Sequence, residues 1–296
     1  MHIPDTTPGV APLRRLVALA ALLAALTFAP AASAADEPIL LVHGYGDASK
    51  GKDCNGDTFK EALRYYQDAA GRERSSLVTI GYYPGDKGRC DAMIGDGKAS
   101  NQRPIQDIAR DLAHYIAGRG EPVDIVAHSM GGLVTRVALL GSAQGWQGFP
   151  SGKLKVGNVV TLGTPHQGVS SPGASDTRQW KQMRPGSGFL DRLQEDKLSG
   201  GWASATDWSL VGSREDGTVS YDSAIDKGNA ADQKFGYLAN GGKVTHTGVR
   251  TLSSGRYALS YWHAAGDHPA HRTDDGWAPL KAAYQAATHV GDNLPR

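Results

Sequence analysis

One serine, five histidines and three aspartates set out the chemistry open to this chain. Ser129 stands in "AHSMGG", where a β-like run, Val123 to Ala127, breaks into a helix-like run. A serine hydroxyl must shed its proton as it attacks a carbonyl. It therefore needs a histidine base within reach and a carboxylate that fixes that imidazole's tautomer. Asp216 follows the apolar run Trp208 to Ser213, with Asp207 and Asp222 as rivals for the acid. His246 in "VTHTGV" competes for the base with His263, His268, His271 and His289. Each residue also has a plainer reading. Ser129 would cap a helix, and Asp216 would supply an Asp-Gly turn.

The turn around Ser129 departs from the G-x-S-x-G pattern, because Ala127 stands where the first glycine belongs. A nucleophile on a strained strand-to-helix turn needs small neighbours two residues either side, since strand and helix pack closely there. Gly131 meets that need, and Ala127 adds only one methyl group. Acyl transfer also needs donors for the developing oxyanion. Met130 follows the serine at a helix start, where free N–H groups and the dipole favour negative charge. The second donor is expected in "HGYG", where Gly44 and Gly46 allow close backbone approach and Tyr45 supplies its N–H.

Elements able to carry these residues alternate along the chain. Apolar strands are expected at Pro38–Gly44, Ser76–Tyr83, Val123–Ala127, Lys155–Pro165 and Trp208–Ser213, with a sixth inside Gly242–Gly248. Helices are expected over Thr58–Ala70, from Pro104 to Gly120, from Ser129 to Leu140, and over Ala278–Val290. The second shows one apolar stripe of Ile105, Ile108, Leu112 and Ile116. Such alternation predicts a mostly parallel sheet covered on both faces, with ligands gathered at the strands' carboxyl ends. Gly168 to Ala205 breaks the pattern, being rich in Ser, Gly, Asp and Gln, and reads as an excursion with one or two short helices.

Composition narrows the setting. Arg14-Arg15, the apolar run Leu16 to Ala29 and the small residues Ala32-Ser33-Ala34 read as a secretory signal cleaved after Ala34, making residues 1–34 a signal peptide. The arginine pair leaves both the general secretory and the twin-arginine route open. The run falls short of the roughly 20 residues that span a bilayer, and no second segment reaches that length. Residues 35–296 suit one catalytic domain, expected to be secreted and monomeric. Two of the 31 Lys+Arg and one of the 30 Asp+Glu lie in the leader, so the remainder is neutral with histidine uncharged. Nothing there points to nucleic acid. Cys54 and Cys90, the only cysteines, predict one disulfide in an exported chain. The histidines and aspartates of His263 to Asp275 match no metal-ligand spacing. Neither a metal nor a cofactor is expected.

The motifs "VHGYG", "AHSMGG", "TLGTPHQG" and "SREDGTVSYDSA" together resemble secreted bacterial lipases and esterases of the α/β-hydrolase superfamily. The Ala-x-Ser-x-Gly box is similar to that of small Bacillus-type lipases and of some extracellular polyester depolymerases. The resemblance runs from Ile39 to about Val249 and is weak across Gly168 to Ala205. It implies an α/β-hydrolase fold with Ser129 as nucleophile, Asp216 as acid, His246 as base, and Tyr45 and Met130 as oxyanion donors. It implies a carboxylic ester substrate, a lipid or other acyl ester, with polyester depolymerisation or acyl transfer as alternatives on the same triad. A non-catalytic binding protein on the same scaffold is the reading from another class.

Overall fold

The computed structural model describes residues 37–263 and 271–288. Residues 1–34, expected to be a signal peptide, and His268 and His289 lie outside the described residues. In chain order the elements are β1 (Ile39–Val42), α1 (Lys60–Asp68), β2 (Leu77–Gly81), β3 (Ala92–Met93), α2 (Ile105–Arg119), β4 (Val123–His128), α3 (Met130–Ala143), β5 (Val156–Leu162), α4 (Arg178–Gln182), α5 (Gly188–Glu195), β6 (Asp207–Ser213), α6 (Tyr221–Ala224), β7 (Gln233–Tyr237), α7 (Gly248–Thr251), β8 (Tyr257–His263), β9 (His271–Gly276) and α8 (Pro279–Thr288). All lie in one unit, Asp36–Arg296.

The strands form one sheet in the order β3-β2-β1-β4-β5-β6-β7-β8-β9. Pairing is parallel from β3 to β7 and antiparallel from β7 to β9. Every residue of β1 and β4 is buried, as the continuous apolar runs require of strands covered on both faces. Successive side chains go to opposite faces. Leu40 and Val42 join α2 and α3 in one core, while Ile39 and Leu41 join α1 and α8 in the other. The α2 stripe of Ile105, Ile108, Leu112 and Ile116 packs into the first core, and Gly120, at φ +74°, closes the helix in the left-handed region.

Chain direction places the site. From β1 the chain moves outward to β2 and β3, then α2 carries it back to β4 on the other side of β1. The crevice beyond the carboxyl ends of β1 and β4 is thus the topological switch point of the sheet.

The structure corrects one expectation at the carboxyl-terminal end and adds three strands there. Gly242–Gly248 is not a strand: it is a loop leading into α7. The strand beside β6 is Gln233–Tyr237 instead. Its "QKFGY" lacks an apolar pattern because Lys234, 1 % exposed, donates its ammonium to the carbonyls of Asp226 and Asn229. The antiparallel pair β8–β9 was also not anticipated; β9 forms a charged, largely exposed edge. The excursion carries two short helices, α4 and α5, as expected.

Candidate active site

Ser129 occupies the step between β4 and α3. Its φ of +56° and ψ of −129° are rare for a residue with a side chain. Neighbouring strands hold this strained turn. The Ser129 N–H donates to Leu162 at 2.9 Å, and its carbonyl accepts from the Thr164 hydroxyl at 2.9 Å. Packing explains the need for small neighbours. A methyl group at Gly131 would lie 2.4 Å from the Val42 carbonyl oxygen and 2.5 Å from that of His43. Ala127, fully buried, pairs with Val42 on one side and Thr161 on the other.

The loops after β6 and β7 bring an acid and a base together. His246 Nδ1 lies 2.7 Å from Asp216 Oδ2. The other carboxylate oxygen of Asp216 accepts the N–H groups of Thr218 and Val219 at 2.8 and 2.9 Å. With Nδ1–H donated to the carboxylate, Nε2 of His246 keeps its lone pair, the tautomer a general base needs. The pair rests on the turn after β5, where a methyl at Gly163 would meet Asp216 Oδ2 at 3.0 Å and His246 Nδ1 at 3.2 Å. No hydrogen bond among the described residues joins the Ser129 hydroxyl to His246. Such contacts are commonly long before substrate binds and tighten in the complex.

The rivals lie elsewhere. Asp207 begins β6, at the end of the sheet away from Ser129. Asp222 pairs with Lys227 at the surface. His263 aligns with Gln233 at the amino end of β7. His271 is exposed and stacks on Tyr261.

Two further histidines serve as framework. His128 donates from Nε2 to the His246 carbonyl at 2.8 Å, with the rings 4.6 Å apart. Burial, reinforced by His246 and Arg250, holds its pKa well below the usual 6.5, so it is neutral. His43 lies at the start of the loop after β1, stacked on Tyr82, with its ring nitrogens against the Gly44 carbonyl (2.8 Å) and Asp86 Oδ2 (2.9 Å). Asp86 also accepts backbone N–H groups of Lys52, Tyr82 and Tyr83. Burial pushes its carboxyl up, but His43 and these donors outweigh burial and hold it below the usual range. The Tyr82 hydroxyl reaches the carbonyls of His43 and Gly44. Sequence reading missed Asp86 and Tyr82; the Pro-Gly-Asp turn after β2 was the one local signal.

The expected oxyanion donors flank Ser129. Met130 opens α3, a 14-residue helix. Tyr45 lies on the loop whose Gly44 abuts Ser129: a methyl there would stand 2.6 Å from Ser129 Cβ. The Tyr45 hydroxyl bonds to Ser175 and Thr177, and its ring meets Trp180 edge-on. Cys54 and Cys90 form a disulfide with Cα atoms 4.9 Å apart, tying together the loops after β1 and β2. His43 stands near both sulfurs, but their bond to each other removes them as metal ligands.

Comparison with known proteins adds a family. The family described as PGAP1-like alpha/beta domain matches residues 34–225. No curated protein matches the chain. Among solved structures, the mature Bacillus licheniformis lipase BlEst2 is similar at 16% identity and a TM-score of 0.44, over 65% of this chain and 80% of that one. Aspergillus fumigatus lipase B is similar at 16% identity and a TM-score of 0.45, over 88% and 58%. Phospholipase PlaB from Legionella pneumophila is similar at 14% identity and a TM-score of 0.43, over 64% and 44%.

Proposed function

This chain belongs to the PGAP1-like α/β domain family, and on that premise we propose that it hydrolyses carboxylic esters through Ser129, His246 and Asp216. The observation that carries the reading is the 2.7 Å contact of His246 Nδ1 with Asp216 Oδ2, beside a serine held at φ +56°. In the proposed reaction His246 Nε2 takes the Ser129 proton as Oγ attacks the ester carbonyl. The N–H groups of Met130 and Tyr45 hold the oxyanion. His246 then protonates the leaving alcohol. Water, deprotonated by the same nitrogen, releases the acid from Ser129. Removing one oxyanion donor typically costs about 2.7–4 kcal/mol of transition-state stabilisation. Asp216 keeps the imidazole in its working tautomer and balances its positive charge.

Secretion after cleavage at Ala34 is part of the same proposal. Among the described residues no helix is long and apolar enough to cross a membrane. The excursion bears on lipase against esterase action. Val169, Met183, Leu190, Leu193 and Leu198 are buried in the first core, and buried Arg136 of α3 donates to the carbonyls of Leu193 and Asp196. This anchoring of the excursion to the first core supports a soluble-ester profile. Rates on p-nitrophenyl esters from acetate to palmitate test the reading. Turnover absent in Ser129→Ala, with no jump in rate at the solubility limit, is expected. Equal rates in wild type and Ser129→Ala would refute it.

A further inference from the structure

Two cations stand on the segments that follow Gly46 and His246, and this ester chemistry leaves them unused. Lys52 reaches across the oxyanion loop: a methyl at Gly46 would lie 2.6 Å from its Cε and 3.0 Å from its Nζ. Arg250 lies in α7, four residues after His246, and donates from Nη1 to the Thr58 carbonyl. Both side chains are half-buried. Burial lowers the pKa of each, and the Arg250 charge lowers that of Lys52 further. Both charges also act on the His128 ring beside His246.

The nearby carboxylates are committed elsewhere. Asp86 is held by His43, and Asp216 by His246. Asp57 is exposed and reaches the two cations only through space. Among the described residues neither Lys52 nor Arg250 has an ion-pair partner. The Lys52 backbone is fixed, because its N–H donates to Asp86 Oδ1 and Cys54, two residues on, is bridged to Cys90. A partly desolvated ammonium near a partly desolvated guanidinium costs stability until an anion joins them. Departures of that kind gather at functional sites.

We infer that Lys52 and Arg250 form an anion subsite beside Ser129, so that the preferred ester carries a phosphate or carboxylate close to its scissile carbonyl. The inference rests on the ester-hydrolase reading above.

Two pairs of soluble esters test it. Butanoylglycerol against butanoylglycerol 3-phosphate places a phosphate on the alcohol side. p-Nitrophenyl butyrate against mono-p-nitrophenyl succinate places a carboxylate on the acyl side. In at least one pair, kcat/KM for the charged ester is expected to exceed that of the neutral one by about tenfold at low salt. The ratio should fall as salt shortens the Debye length from about 30 Å at 0.01 M to about 3 Å at 1 M. Lys52→Gln with Arg250→Gln should bring the ratio near one by raising KM for the charged ester, while Lys52→Arg with Arg250→Lys retains it. A ratio near one in both pairs for wild type overturns the inference and leaves ester hydrolysis standing. Equal loss of kcat on charged and neutral esters in the Gln variant also overturns it. Hydrolysis of none of the four esters overturns the ester reading and this inference with it.

Discussion

At the scale of residues, the proposed acid is fixed by its contacts. Asp216 makes three: Oδ2 takes Nδ1–H of His246, and Oδ1 takes the N–H groups of Thr218 and Val219. An amide at this position keeps the shape but can offer its NH₂ to His246, which favours the tautomer with the proton on the wrong nitrogen. Asp216→Asn is therefore expected to fold with an unchanged melting temperature and lose about four orders of magnitude in kcat, the loss typical of this exchange in serine hydrolases. Near wild-type kcat in that variant would move the acid to another residue. Sequence reading could reach this far because Ser129, Asp216 and His246 each sit in a short local motif. Asp86 could not be found that way: its role comes from His43, 43 positions away, and from the Lys52 N–H on the loop after β1.

At the scale of elements, the β4-to-α3 step sets the tightest limits. A Cβ at Gly131 would meet backbone oxygens of Val42 and His43, which cannot rotate away. Gly131→Ala should therefore cost about 1–3 kcal/mol or more through overpacking. Chemical denaturation checks this, and an unchanged midpoint would mean that β1 and α3 are less closely packed than described. The disulfide is a second constraint. Its loop, with a sequence separation of 36, is worth roughly 3–4 kcal/mol on chain-entropy grounds. Cys54→Ala with Cys90→Ala should lower the melting temperature accordingly, and an unshifted transition would count against that contribution. Parallel strands were legible wherever continuous apolar runs mark them, as in β1, β4 and β5. The strand β7 was not, because Gln233 and Lys234 are polar yet buried, and the Lys234 ammonium is satisfied by the Asp226 and Asn229 carbonyls of the preceding loop, which no hydrophobic pattern reveals. The short, charged β9 has no apolar run to betray it, and its strand state comes from pairing with β8.

At the scale of the whole molecule, buried titratable groups shape stability against pH. Burial above all keeps His128 and His166 below the usual histidine value of 6.5 in the folded chain. As pH falls below 6.5 the unfolded chain binds two protons that the folded chain refuses, so stability falls. Asp124 opposes this. Burial, against the hydrogen bonds of Asn158, raises it from 3.8 to about 6, so the folded chain gains its proton first and is favoured as pH falls between those values. Two histidines outweigh one aspartate. The melting temperature is expected to drop between pH 7 and 4.5, and Asp124→Asn should steepen the drop because Asn keeps the acceptor for Asn158 without the proton. A flat profile, or one that rises toward acid, would contradict this balance.

The central claim is that Ser129 is a nucleophile activated by His246. Labelling the folded protein with a fluorophosphonate and locating the adduct by mass spectrometry tests it most directly. One adduct, on Ser129, absent from Ser129→Ala and strongly slowed in His246→Ala, is the predicted result. A folded protein that stays unlabelled at Ser129, or labels there equally fast without His246, would contradict it.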